Sequence, residues 1–378
     1  MKTSLLFAGM MAWILGTMAP HSPAAAEPAL EAVASFPNQQ VTGVTLSRAG
    51  RLFVSFPFWS DDHTTSVAEM TADGAERPYP DLGWNSKEGP PESRWICVQS
   101  VYVDDKDMLW VLDPASPKME GVVRGGPKLV EIDLATGMAA RRIPFNDAIA
   151  PEHSYLNDVR VDAAAGVAYI TDSGMGAIVV VNLGSGVARR VLANHPSTKA
   201  EPGATIVVEG MNLIDPKTGQ APVIHSDGIA LDRSAGWLYY HALSGHGLYR
   251  VKTADLRNEA LTEPQLGALV EKLGDTPKPD GMLEGRDGTL YLTAIEKNAI
   301  VRFDVATKKS TVIIEDKRLQ WPDTMTWGPD GDLYVTTSQI HRTAKYHGGK
   351  NFQDGPFRVY RLKLPTDNRT TFTVPPPL

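Results

Sequence analysis

The chain of 378 residues contains one cysteine, Cys97. No intrachain disulfide can form, so the fold must rest on its core and its hydrogen bonds. Cys97 lies in the apolar-alternating run WICVQSVYV and reads as a buried, inert thiol rather than a nucleophile. Basic residues are not in excess: 37 Lys and Arg stand against 44 Asp and Glu, a net charge of -7. Without a basic stripe, nucleic acid and anionic membrane surfaces are not expected partners. None of the nine histidines is paired at a zinc spacing such as HExxH, which argues against a tetrahedral zinc centre. GxSxG, Walker and helix-opening GxGxxG motifs are also missing, so acyl-serine, nucleotide and dinucleotide chemistry have no support.

Long apolar runs are scarce as well. The one such stretch, Leu5 to Met18, follows Lys2 and precedes Ala24-Ala25-Ala26, the pattern of a secretory signal over residues 1–26. It is too short to span roughly 30 Å of hydrocarbon, so no membrane anchor is expected. The expected mature chain is one domain over 27–378, secreted or periplasmic and monomeric.

What the sequence does contain is a repeat. A polar residue leads a short apolar strand, a Gly-bearing turn and a second strand, six times over: VTGVTLSRAGRLFVSF, VQSVYVDDKDMLWVLD, LNDVRVDAAAGVAYITD, SDGIALDRSAGWLYYH, PDGMLEGRDGTLYLTA and PDTMTWGPDGDLYVTT. The leading residues Thr42, Gln99, Asn157, Asp227, Asp280 and Asp323 are 57, 58, 70, 53 and 43 residues apart. That is the period of a four-stranded propeller blade, and six copies predict an all-β, six-bladed β-propeller. The last copy is one strand short before the Pro-rich end TVPPPL. The N-terminal run LEAVASF is expected to supply that strand and so close the ring.

In a propeller the start of every innermost strand and the exit of every second strand lie on one face. The six leading residues therefore converge on one mouth, with Trp59, Asp113, Asp172, His241, Glu296 and Gln339 at the exits. The long insertions 84–95, 113–127, 195–226 and 338–357 sort to the same face, the usual place for binding or chemistry. Asp133, Asn182 and Asp304 share a register where a short acceptor caps a tight turn, and Asp287 and Asp330 read the same way. Asp227, Asp280 and Asp323 instead point into the funnel. Carboxylates so crowded require a bound cation, a shared proton or basic partners.

Gln99, Asn157 and Asp158 break the repeat, and departures from a repeat are better site candidates than its consensus. Asn157 both donates and accepts, which suits a polar ligand or a metal. His225 and His241 are the candidate acid and base if a proton is moved. Trp59, Trp84, Trp95 and Trp321 fall in or beside mouth loops, where a flat or cationic ligand would stack. Trp110, Trp237 and Trp327 read as packing residues. The loop HRTAKYHGGKNFQDG, which carries His341 and His347, could close its basic residues over the carboxylate-rich mouth, but it reads first as solvated.

Taken together, CVQSVYVDDKDMLWVLD, GGPKLVEIDLATG, YLNDVRVD, AYITDSGMGAIVVVNLGSG and SDGIAL with LYYHALSG resemble the major royal jelly protein and Yellow family over about residues 35 to 364. The resemblance implies a secreted six-bladed propeller with a small molecule in its funnel. Some insect relatives are associated with biogenic-amine binding or dopachrome tautomerisation. A more distant resemblance is to gluconolactonase-type propellers. It implies one divalent cation (Ca, Mn or Zn) and places Asn157, Asp227 and Asp280 as tentative ligands. That pattern also needs a Glu from the first blade, where this chain reads FPNQQVTG.

Three functions follow as expectations. The first is binding of a small amine, catechol-like or cationic ligand by Trp59, Gln99, Asn157, Asp158, Asp172, Asp227, Asp280 and Asp323, with tautomerase-type chemistry as an extension. The second is a divalent-metal-dependent lactonase. The third is a non-catalytic propeller that docks a protein.

Overall fold

The computed structural model describes residues 28–285 and 288–364. The expected signal segment, Asp287 and the Pro-rich end lie outside these residues. Six four-stranded antiparallel sheets follow one another along the chain, the blades of an all-β propeller. Blade 1 runs from Gly43–Leu46 to Glu76–Pro78, blade 2 from Ser100–Val103 to Met138–Pro144, and blade 3 from Leu156–Asp162 to Ala188–Val191. Blade 4 runs from Ser226–Leu231 to Glu271–Asp275 and blade 5 from Pro279–Glu284 to Lys309–Glu315. Blade 6 combines Pro322–Trp327, Leu333–Thr337 and Phe357–Lys363 with the N-terminal strand Ala29–Phe36, which pairs antiparallel with Phe357–Lys363.

The burial explains the sequence texture. Second strands such as Val167–Asp172 are sandwiched between neighbouring blades and buried throughout, hence apolar on both faces. Outermost strands such as Lys309–Glu315 are largely exposed and polar. Between blades 2 and 3, Trp110, Leu129, Val159 and Ile170 share one core cluster. The turn acceptors act as the register implied: Asp133 accepts from Ala135 N–H at 2.8 Å and Asn182 from Gly184 and Ser185 N–H at 3.0 Å.

Four blades carry a β-bulge at the leading residue. Asn157-Asp158, Asp227-Gly228, Asp280-Gly281 and Asp323-Thr324 each place two residues opposite one on the second strand. The opposing residue is Thr171, His241, Thr293 or Thr336. Thr293 Oγ1 accepts from the N–H groups of both Asp280 and Gly281, at 3.1 and 2.8 Å. Glycine follows Asp280 because a Cβ on Gly281 would stand 2.1 Å from the carbonyl oxygen of Asp323 on the next blade. The same belt of hydroxyls staples blades together. Ser55 donates to the Gln99 carbonyl at 3.1 Å, Thr171 to the Asp227 carbonyl at 2.7 Å, and Thr336 on blade 6 to the Thr42 carbonyl at 2.5 Å.

Among the described residues no helix is long and apolar enough to cross a membrane.

Candidate functional site: an acidic funnel under a cap

The bulges turn the leading side chains toward the axis, at the floor of a cavity of about 620 Å³. Blades 4 to 6 present Asp227, Asp280 and Asp323, while blades 2 and 3 present Gln99 and Asn157. The floor is asymmetric, with carboxylates on one side and amides on the other. Asn157 Nδ2 donates to Asp227 Oδ1 at 2.8 Å, and the Trp321 indole N–H donates to Asp280 Oδ2 at 2.5 Å.

Burial dominates the acid chemistry. It drives the Asp227 and Asp323 carboxyls well above the usual range, and the charges of Asp280 and Asp158 push both further. Asp280 is raised to about 6 by burial, with the Trp321 hydrogen bond holding it down relative to its neighbours. Asp227 and Asp280 are hydrogen-bonded to each other, so the cluster holds protons in common near neutrality. Asp323 Oδ2 is buried and has no hydrogen-bond partner among the described residues. Asp158 is also raised by burial; Arg160, 3.9 Å away, counters this. The Arg160 guanidinium donates to the carbonyls of Val159 and Met282 at 2.8 Å, so it is held by backbone rather than offered to a ligand.

The other predicted residues sort clearly. Trp59 lines the cavity. Asp172 does not: its carboxylate accepts from Ser154 Oγ and the N–H groups of Tyr155 and Gly174, and pairs with Arg190 at 2.6 Å. It anchors the loop that carries Tyr155, as Asp113, paired with Lys128 at 2.9 Å, anchors Ile96 and Cys97. His241 stands where three other blades have threonine, fully buried inside its sheet and bonded to the Ala242 carbonyl and Thr276. Burial lowers its pKa to about 4. His225 accepts from Ala200 N–H through Nδ1 at 2.9 Å. Neither histidine lines the cavity, so the structure does not bring the two together over a ligand. Trp84 and Trp95 pack against each other, ring centres 4.2 Å apart and planes tilted by 36°, instead of facing the funnel.

Tyr155 and Gln40 were missed by sequence reasoning although both line the cavity. The signal was a second register, two residues before each leading position: Gln40, Cys97, Tyr155, His225, Lys278 and Trp321. Three of these, Gln40, Tyr155 and Trp321, face the funnel.

A cap lies over the mouth, and here the solvated reading of the loop carrying His341 and His347 is corrected for residues 340–347, while residues 348–352 are exposed as expected. Its residues Ile340 and Tyr346 pack with Ile206, Val208, Leu243 and Trp321 in one apolar cluster. His341 is 1% exposed, stacked on Trp321 at 5.9 Å, with Nε2 3.2 Å from Glu209. Arg342 reaches the same carboxylate at 2.8 Å. The two insertions are thus clamped to each other above the floor. Apolar cluster packing, invisible in a run as polar as HRTAKYHGG, orders the loop.

These features define a six-bladed propeller with an acidic, aromatic-walled central cavity. The chain belongs to the major royal jelly protein family, whose profile matches residues 96–372. It is 26% identical over 312 residues to major royal jelly protein 3 of Apis mellifera, a match covering 75% of this chain and 54% of that protein; the chain thus spans about half the relative's length. Among solved structures it is similar to a gluconolactonase from Xanthomonas campestris (14% identity, TM-score 0.54, 90% and 91% of the two chains). A luciferin-regenerating enzyme (11%, 0.52, 89% and 95%) and a streptogramin B lyase (13%, 0.51, 90% and 99%) share the same fold.

Proposed function

We propose that the chain binds a small organic cation in the funnel, with the positive charge seated on Asp227, Asp280 and Asp323. The observation that carries this reading is the set of buried carboxyls facing one cavity, with the nearby Arg160 engaged by backbone carbonyls. A cation supplies the missing counter-charge, and its arrival expels the shared protons. The aromatic walls, Trp59, Tyr155 and Trp321, suit the apolar body of such an ion. If the bound molecule is also tautomerised, protonated Asp227 beside Asp280 is the acid and base pair that lines the cavity, in place of His225 and His241.

Titration calorimetry with alkylammonium ions at pH 5 and pH 7.5 tests the reading. Binding should strengthen as pH rises through about 6, where Asp280 ionises, and fall at least tenfold in Asp280→Asn. No binding at either pH sinks it.

The metal-dependent lactonase remains a second reading, favoured by the oxygen-only donors at the floor and the unpartnered Asp323 Oδ2. Asn157, Asp227, Asp280 and Asp323 would hold a hard divalent cation such as Ca²⁺ or Mn²⁺ better than zinc. Bound there, the ion would supply Lewis acidity toward a carbonyl. Among the described residues, however, no three His, Cys, Asp or Glu side chains already stand as a metal cage. The carboxyls would have to draw together and lose their shared protons. Lactone hydrolysis that disappears with chelator and returns with Ca²⁺ or Mn²⁺ would move the assignment to this reading.

A further inference from the structure

The amide side of the floor carries a hydrogen-bond relay whose polarity is determined by its first member. Trp59 Nε1, which can only donate, gives its proton to the Tyr155 hydroxyl at 2.8 Å. The phenol therefore spends its own proton on Gln99 Oε1, 2.9 Å away. The alternative acceptor, Cys97 Sγ, lies 4.0 Å from the phenol oxygen and is the weaker partner. With Oε1 turned to the phenol, the NH₂ on the other side of the Gln99 amide is the group left to serve the cavity that it lines. Gln99 is 7% exposed, and its Nε2 has no partner among the described residues. The donor is open to the cavity rather than sealed in protein, so a ligand acceptor that takes it displaces water.

We propose that Gln99 is a specificity-determining residue, oriented by the positioning pair Trp59 and Tyr155, and that the ligand carries an acceptor oxygen as well as its positive charge. This rests on the cation reading above and deepens it: the carboxylate side takes the charge and the amide side takes a carbonyl, ether or phenol-type oxygen. A bare alkylammonium satisfies one side only. The sequence placed Gln99 among the departures from the blade repeat, and the relay supplies the reason a neutral amide stands there.

The test uses the full chain and two matched series, n-alkylammonium ions and methoxyalkylammonium ions of equal length, three to six heavy atoms from the nitrogen. The ether oxygen accepts but cannot donate, so it reads the polarity of the amide. In the unmodified protein one length should show a preference for the ether of about five- to tenfold, the size of one net hydrogen bond. Tyr155→Phe releases the amide to rotate, and Gln99→Glu replaces the donor with an acceptor. In both, the ether-to-alkyl ratio should fall to one or below, whatever happens to absolute affinity; a purely structural role for Tyr155 would weaken both series together and leave the ratio intact. Alkylammonium binding without ether preference, or a preference that survives in Tyr155→Phe, overturns this inference alone. Failure of every ammonium to bind overturns the cation reading and this inference with it.

Discussion

Asn157 and Asp227 are 70 residues apart in sequence, start adjacent blades, and are joined by a 2.8 Å hydrogen bond from amide to carboxyl at the funnel floor. The bond crosses the boundary between the amide and carboxylate sides and holds Asp227 in place for its neighbours. Asn157→Ala removes the donor from a buried carboxyl. The expected cost is about 1–3 kcal/mol of stability, read as a lower urea midpoint with an unchanged slope.

Stability should respond to pH through the floor. Asp227, Asp280 and Asp323 all have raised folded-state values, Asp280 to about 6. Groups of this kind favour the folded state below their unfolded value near 4, and that contribution is lost as pH rises through the folded values. Asp323→Asn keeps the shape but cannot ionise, so it should raise the melting temperature at pH 7.5 by about 1–4 °C and change little at pH 4.5. Calorimetric scans at the two pH values decide it; an equal shift at both would place the effect outside ionisation.

Opening of the cap should be governed by the clamp on Glu209. Burial raises this carboxyl, but its contacts with Arg342 and His341 outweigh burial and leave it below the usual value. Because the Arg342 pair is partly exposed, its loss should cost under about 1 kcal/mol of global stability. Arg342→Ala should nonetheless speed proteolytic cleavage or amide exchange in segments 204–224 and 339–356 several-fold, since local opening needs less than global unfolding. Unchanged exchange in both segments would show that the apolar cluster alone holds the cap.

Gly281→Ala tests the bulge belt. The new Cβ would meet the Asp323 carbonyl at 2.1 Å, and backbone on both blades must shift to relieve it. A loss of about 2–3 kcal/mol in a denaturant melt is expected.

Blade number, strand order and the convergence of six leading positions were legible because a propeller repeats one local problem six times. Period-two apolar runs, turn acceptors such as Asp133 and Asn182, and glycine after Asp227 and Asp280 each answer that problem locally, so they mark the sequence at regular spacing. The carboxylate cluster was legible for the same reason, since Asp227, Asp280 and Asp323 share a register. Other features depended on what each side chain meets after the ring assembles. Asp172 and Asp113 look like rim acids, yet each is consumed by a cation and a loop backbone from elsewhere in its sheet. His241 looks like a funnel base, yet it occupies the threonine position opposite a bulge, inside the sheet. The polarity of Gln99 needs Trp59 from blade 1 and Tyr155 from the loop into blade 3 to be side by side. Sequence periodicity by itself determined the all-β propeller, because strand pairing and turn chemistry act over a few residues. Only the tertiary structure decided which polar groups are spent on the protein and which remain for a ligand, because a hydrogen bond is assigned by distance in space: Trp59 and Tyr155 are 96 residues apart along the chain, and Arg160 and Met282 are 122 apart.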